Sequence, residues 1–345
     1  MRFAMALVLL FVVTGPLLAG PELQLTPSLE PERPALTAAL EAANQRLARF
    51  AHTHGWEGLV QEPFYDRVEF YDQKPAYDRR LRELTGLQGE IPPTYVAALE
   101  QRVLVAVSPA LYRQLVPQGD EPDAFEKLLC HELAHRLHIR ILEGDEEAMG
   151  PIWFFEGFAV YASDQFTDAS LSKPELWQVV TSQERGSYRS YRAVMNYLVS
   201  RTDLPELVQW ARAPGFVDQL RLLWLTIVEQ REGDEFHFGP NGITVISHMG
   251  IGRIRLQAGA GWPEQLVFRF TYKGGTAMTR IENLGFETNQ GSWQTSTPRP
   301  QFRPAIESAS KPTLSLDGKV PVLTIPGDFL ANCPELKLGW IDVYR

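Results

Sequence analysis

The chain has 345 residues, more than one ordinary domain needs and comfortable for two. Hydrophobic residues make up 44% and charged residues 22%, a globular balance that excludes disordered and fibrous classes. A formal charge of −9 leaves no basic stripe for phosphate and so excludes a nucleic-acid partner, while two cysteines exclude a disulfide scaffold and a Cys-rich zinc module.

Residues 1–20 read as an export signal. Arg2 supplies a positive charge, Phe3 to Val13 is unbroken apolar chain, Thr14, Gly15 and Pro16 break it, and the small Ala19 and Gly20 follow. The run falls short of the roughly 20 residues that span a bilayer, so no stable membrane insertion is expected and the protein is expected to be secreted or periplasmic. Cys130 and Cys333 read as two isolated buried thiols rather than a pair.

Pro21, Pro27, Pro31 and Pro34 punctuate what reads as an extended leader, and Leu36, Ala39, Leu40, Ala43, Leu47 and Phe50 then follow helical spacing. Arg67 to Tyr71 alternates like a strand, Pro75 to Leu84 reads as a helix, and Val103 to Val107 as a short buried or edge strand. Asp123 and Glu126 form a capping-box pattern ahead of Leu128, Leu129, Leu133, Leu137 and Ile141, with Gly144 beyond the end of that helix. A second helix opens at Gly150-Pro151 and runs through Ala162, and more helical patterning covers roughly 188–200 and 204–231. Beyond Gly233 the texture changes to strands at Thr244–Met249, Arg253–Gln257, Leu266–Tyr272, Val320–Ile325 and Trp340–Tyr344, spaced as in a small β-sandwich.

The chemistry concentrates in His131-Glu132-Leu133-Ala134-His135. On a helix, positions i and i+4 lie about 40° apart, so both imidazoles can meet one metal. Glu132 sits about 100° around, where its carboxylate can reach a water held by the metal without becoming a ligand itself. A catalytic zinc takes three protein ligands and leaves a fourth position open. Glu156 supplies the missing candidate: it is a lone carboxylate in the apolar Trp153–Tyr161 stretch, followed by a Gly157 that lets helices approach.

This pattern, His131-Glu132-x-x-His135 with Trp153-x-x-Glu156-Gly157-x-Ala159, resembles the gluzincin metallopeptidases, the thermolysin-like group, over roughly residues 65–200. The resemblance implies an α+β fold in which a gluzincin-like domain, a small β-sheet with active-site helices, precedes the C-terminal β-sandwich. It implies a zinc ion held by His131, His135 and Glu156, Glu132 as general base, and strand Val103–Val107 pairing with an extended substrate. It also implies a tyrosine near the zinc, best matched by Tyr188 ahead of Tyr197-Leu198, with Tyr191 second. The chain departs from thermolysin where Val160 replaces an Asp that orients a zinc histidine; Asp164 is the candidate substitute. The G-x-M-E-N segment of aminopeptidase relatives is absent, which favours internal cleavage, and His138 and Ile141 occupy positions where a metzincin would have Gly and its third His.

His138 reads as a packed or supporting histidine, His52, His54, His237 and His248 as structural or surface groups, and Asp145-Glu146-Glu147 as a solvated loop. The expected organisation is a signal peptide at 1–20, a leader and N-terminal helix at 21–60, a catalytic domain at 61–236 and a β-sandwich at 237–345. The segment from Asn283 to Trp293 has a faint likeness to carbohydrate-binding β-sandwiches, so glycan contact joins a peptide or protein substrate among the expected partners. The rival function is a catalytically silent secreted binding protein on a peptidase scaffold.

Overall fold

The computed structural model describes residues 21–89, 94–116, 121, 123–248, 250–272, 281–288, 291–296, 299–304, 312–317, 320–331 and 333–342. The export-signal reading of residues 1–20 lies outside them. The fold is α+β, with a helical portion built on a small sheet followed by two larger sheets.

The small sheet contains β1 (Glu22–Leu25), β2 (Arg67–Tyr71), β3 (Val96–Leu99) and β4 (Val103–Val107), in the order β1-β2-β4-β3. Residues 21–34 are therefore no extended leader: β1 pairs in parallel with β2, Glu22 opposite Arg67 and Leu25 opposite Phe70. The prolines that suggested an open chain instead punctuate a short 3-10 turn, Pro27–Glu32, which leads into α1 (Arg33–Thr53). β4 is interior, parallel to β2 on one side and antiparallel to β3 on the other, and all five of its residues are buried. An unbroken Val-Leu-Val-Ala-Val run is what a strand covered on both faces requires. Its hydrogen-bonding edges are already occupied, so β4 has none to offer a substrate; among the described residues the outer strands of the sheet are β1 and β3.

Helices α2 (Lys74–Thr85) and α3 (Pro109–Leu115) flank the sheet. Helix α4 (Ala124–Ile141) packs on α1, on β3 and on α5 (Ile152–Ala162), and α5 packs in turn on α7 (Tyr188–Val199), which follows α6 (Lys173–Thr181). The capping box expected at the start of α4 does not form. Asp123 adopts a left-handed conformation with no capping hydrogen bond, because its carboxylate pairs with Arg46 and Lys127.

The helical pattern of 204–231 ends early. It yields α8 (Leu204–Ala211), a break at Pro214-Gly215 with Gly215 at φ 83°, α9 (Phe216–Gln219) and a 3-10 turn, Leu220–Trp224. From there the β-branched Thr226-Ile227-Val228 turn the chain into a strand, β5 (Leu225–Gln230). Strands β6 (Glu235–Gly239), β7 (Gly242–Ser247), β8 (Gly250–Ala258), β9 (Gln265–Tyr272), β10 (Ile281–Thr288), β11 (Gly291–Ser296), β12 (Arg299–Pro304), β13 (Thr313–Asp317), β14 (Val320–Pro326) and β15 (Glu335–Asp342) complete two sheets, ordered β12-β11-β10-β15-β8-β5 and β13-β14-β9-β7-β6. Leu256, Leu338 and Trp340 from the first and Val245, Phe268 and Leu323 from the second join one buried cluster. The chain passes between its two cores at Leu222–Leu225, ahead of residue 236. β10, which carries Asn283, lies mid-sheet between β11 and β15; the side chains of the glycan-like segment lie outside the described residues. Cys130 and Cys333 are buried and free, as their placement in separate portions requires. Among the described residues no helix is long and apolar enough to cross a membrane.

Candidate metal centre

Leu129, Leu133 and Leu137 anchor one face of α4 in the core, and His131, on another side of the helix, is also buried, 3% exposed. Helix α5 is apolar nearly all round, with Trp153, Phe154, Phe158, Ala159 and Val160 buried, so its one carboxylate, Glu156, must find a polar partner inside. It finds one on α4. Gly157 makes room where α5 meets α7, since a Cβ there would lie 2.8 Å from Met195 Cγ.

The three expected ligand atoms form a near-equilateral triangle. His131 Nε2 and His135 Nε2 are 3.2 Å apart, and Glu156 Oε2 lies 3.3 Å from the first and 3.5 Å from the second. Cation–ligand bonds of about 2.0–2.1 Å in a tetrahedron give ligand–ligand edges of about 3.3 Å. Glu156 Oε2 is buried and has no hydrogen bond, and two imidazole nitrogens that face each other share at most one proton. A divalent cation in their midst answers all three groups. His131, His135 and Glu156 are thus placed to hold a metal ion.

Two of the three candidate ligands are held from behind. Glu156 Oε1 accepts a hydrogen bond of 2.8 Å from Arg185 on the loop before α7, leaving Oε2 for the centre. His131 Nδ1 lies 3.0 Å from Gln165 Oε1; with Nδ1–H donating there, the Nε2 lone pair faces inward. Gln165 follows α5 in a tight turn between Asp164 and Phe166, both at positive φ (56° and 51°), and Ser163 Oγ also contacts its oxygen. The supporting role expected of Asp164 therefore falls to Gln165. Asp164 is exposed and pairs with Arg46, and Val160 is buried core. Burial pushes the Glu156 carboxyl up, but the two histidines more than reverse this and keep it well below the usual range.

Glu132 lies beside the triangle and not in it. Burial raises its carboxyl above the ordinary value, against the pull of His131 and His135. It borders a cavity of about 240 Å³ between β3 and the first half of α4, with Tyr95, Val96, Tyr112, Leu128 and Phe166 in the walls. Tyr188 stands at the same cavity, its ring 5.3 Å from that of His131; burial first, and then the Glu156 charge, push its phenol up to about 12, so it is protonated at neutral pH. Tyr191 is buried and accepts from the Gly186 amide, a structural role.

His138 is outside the metal group. It is fully buried, stacks on Phe158 at 4.4 Å, and burial lowers it to about 3. His54 packs on Phe50, while His52, His237 and His248 are exposed. Asp145 caps a 3-10 turn at the Ala148 amide and Glu146 faces Arg136, as in a solvated loop. Gln165 and Arg185 carry no local signal in the sequence, since each sits in a polar loop whose path only the tertiary structure sets.

No protein-family model, curated protein or solved structure matches this chain.

Proposed function

We propose that the chain is a secreted zinc-dependent peptidase of gluzincin type that cleaves within extended peptides. The observation that carries this reading is the triangle of His131, His135 and Glu156 with its orphaned carboxylate oxygen. Two imidazoles and one carboxylate suit zinc, and three protein ligands suit a catalytic rather than a structural site. When bound, the ion would lower the pKa of water toward about 7 and polarise the scissile carbonyl.

The chain's own residues do the rest. Glu132, raised in pKa and set beside the triangle, takes a proton from the attacking water and returns it to the leaving amine. Tyr188, protonated at neutral pH, donates a hydrogen bond to the oxygen that gains charge as the carbonyl becomes tetrahedral. The outer edge of β3 receives the substrate backbone, and the adjoining cavity receives one of its side chains. The C-terminal sheets form a β-sandwich that positions substrate.

Metal analysis of the purified protein, combined with digestion of a mixed peptide library with and without chelator, tests the proposal. One zinc per chain and chelator-sensitive internal cleavage are expected. Cleavage that persists without metal overturns it, and bound zinc without any cleavage would favour a binding protein on the same scaffold.

A further inference from the structure

The Arg185 guanidinium touches both a candidate ligand and the candidate oxyanion donor. Its Nη2 donates to Glu156 Oε1 at 2.8 Å and lies 3.3 Å from the Tyr188 hydroxyl. A guanidinium has N–H donors and no acceptor, which determines what both partners can do. With Oε1 engaged, Glu156 has only Oε2 to give a cation. With Arg185 as the donor, the Tyr188 oxygen must accept, and its own proton is released to point elsewhere, across the cavity it shares with Glu132.

We propose that Arg185 is a positioning residue that confines Glu156 to one-oxygen ligation and directs the Tyr188 proton at the substrate oxygen. One-oxygen ligation keeps a coordination position free for solvent or substrate, whereas a carboxylate bound through both oxygens would fill it. The Glu156 half requires only a cation; the Tyr188 half rests on the peptidase reading given above. Arg185 is 63% exposed on its side chain, so neither half depends on burying it, and its replacement leaves the core intact.

The test compares the zinc-loaded protein with Arg185→Met, Arg185→Lys, Tyr188→Phe and the double variant of Met and Phe. Zinc affinity, read by competition with a chromogenic chelator, is expected to fall about tenfold in Arg185→Met and to recover in part in Arg185→Lys. On a cleaved peptide, Arg185→Met is expected to lower kcat about tenfold or more with KM nearly unchanged. In the Tyr188→Phe background the same change is expected to cost clearly less than in the wild type, because one of the two partners through which it acts is gone and only the Glu156 part remains. Unchanged zinc affinity overturns the Glu156 half, and fully additive losses in kcat overturn the Tyr188 half. A wild-type protein that binds zinc and cleaves nothing defeats the peptidase reading and the Tyr188 half with it, and the affinity measurements then decide the Glu156 half alone.

Discussion

Arg46 Nη1 lies 2.8 Å from Asp164 Oδ2, a contact that ties the N-terminal helix to the turn behind the candidate metal centre. The other arm of the same guanidinium meets Asp123 at 2.7 Å, at the start of the helix that carries both histidines. Both aspartates have left-handed backbones, φ 58° and 56°, so one arginine steadies two unfavourable turns on either side of the centre. Arg46→Met is expected to cost about 1–2 kcal/mol, the range between exposed and buried pairs. Thermal unfolding would show it as a drop of several degrees, and metal titration as weaker binding; an unchanged Tm would contradict the clamp.

Glu132→Gln is expected to keep the full complement of metal while peptide hydrolysis falls by about 10²–10⁴-fold, the usual worth of a positioned general base. His131→Ala and Glu156→Ala are expected to lose the metal itself. Metal analysis beside peptide turnover separates the two outcomes, and a Glu132→Gln protein that retains most activity removes Glu132 from the chemistry.

Gln165→Leu leaves the His131 Nδ1 proton without an acceptor in a buried place. Metal affinity is expected to drop about 10–100-fold with little change in secondary structure, and Gln165→Glu is expected to preserve or strengthen binding. Equal affinity in all three proteins would show that Gln165 does not orient the ring.

Gly157→Ala would drive a methyl group to 2.8 Å from Met195 Cγ at the contact between α5 and α7. Met195 is fully buried, so its side chain must repack or the helices must part, at an expected cost of about 1–3 kcal/mol. Because Glu156 is the neighbouring residue, the same change is expected to weaken metal binding. Denaturant unfolding of the metal-free protein isolates the packing cost.

The helix and the HExxH pattern were legible because both depend on local spacing: the four-residue step from His131 to His135 sets their angle whatever surrounds them. Glu156 was legible for a different reason, as a carboxylate that its apolar neighbours could not tolerate unpartnered. What the chain order concealed was topology. Nothing in Val103–Val107 itself tells that β3, the strand just before it, closes its outer edge, and nothing in 21–34 tells that β2 returns to lie beside Glu22–Leu25. The cap at Asp123 failed because Arg46 and Lys127, brought in from outside the capping pattern, compete for its carboxylate. Gln165 was hidden because its turn depends on two left-handed residues, Asp164 and Phe166, that local preference would not select.

Glu69 is 2% exposed, yet four hydrogen bonds reach its carboxylate: two from Arg80 at 2.7 and 3.0 Å, one from Arg67 at 2.9 Å and one from the Tyr71 hydroxyl at 2.9 Å. Burial alone would raise its pKa, but Arg80, Tyr71 and Arg67 more than offset that and hold it below its ordinary 4.5. A lowered folded-state pKa means stabilisation that is complete above 4.5 and is lost as pH falls through the folded value. Glu69→Gln is expected to lower stability at neutral pH and to flatten its decline below pH 4.5. Denaturant unfolding across pH 3 to 7 checks this, and parallel profiles for the two proteins would contradict it.

The parallel pairing of β1 with β2 has a consequence for the order of events during synthesis. A parallel neighbour cannot be reached by a tight hairpin, so the chain must first make α1 and then come back across its own beginning. The salt link from that helix to Asp164 spans 118 positions. Emerging chain that ends before residue 164 therefore holds both imidazoles and lacks the brace behind them. The candidate centre is completed late, when the turn at Asp164–Phe166 closes against the helix made early.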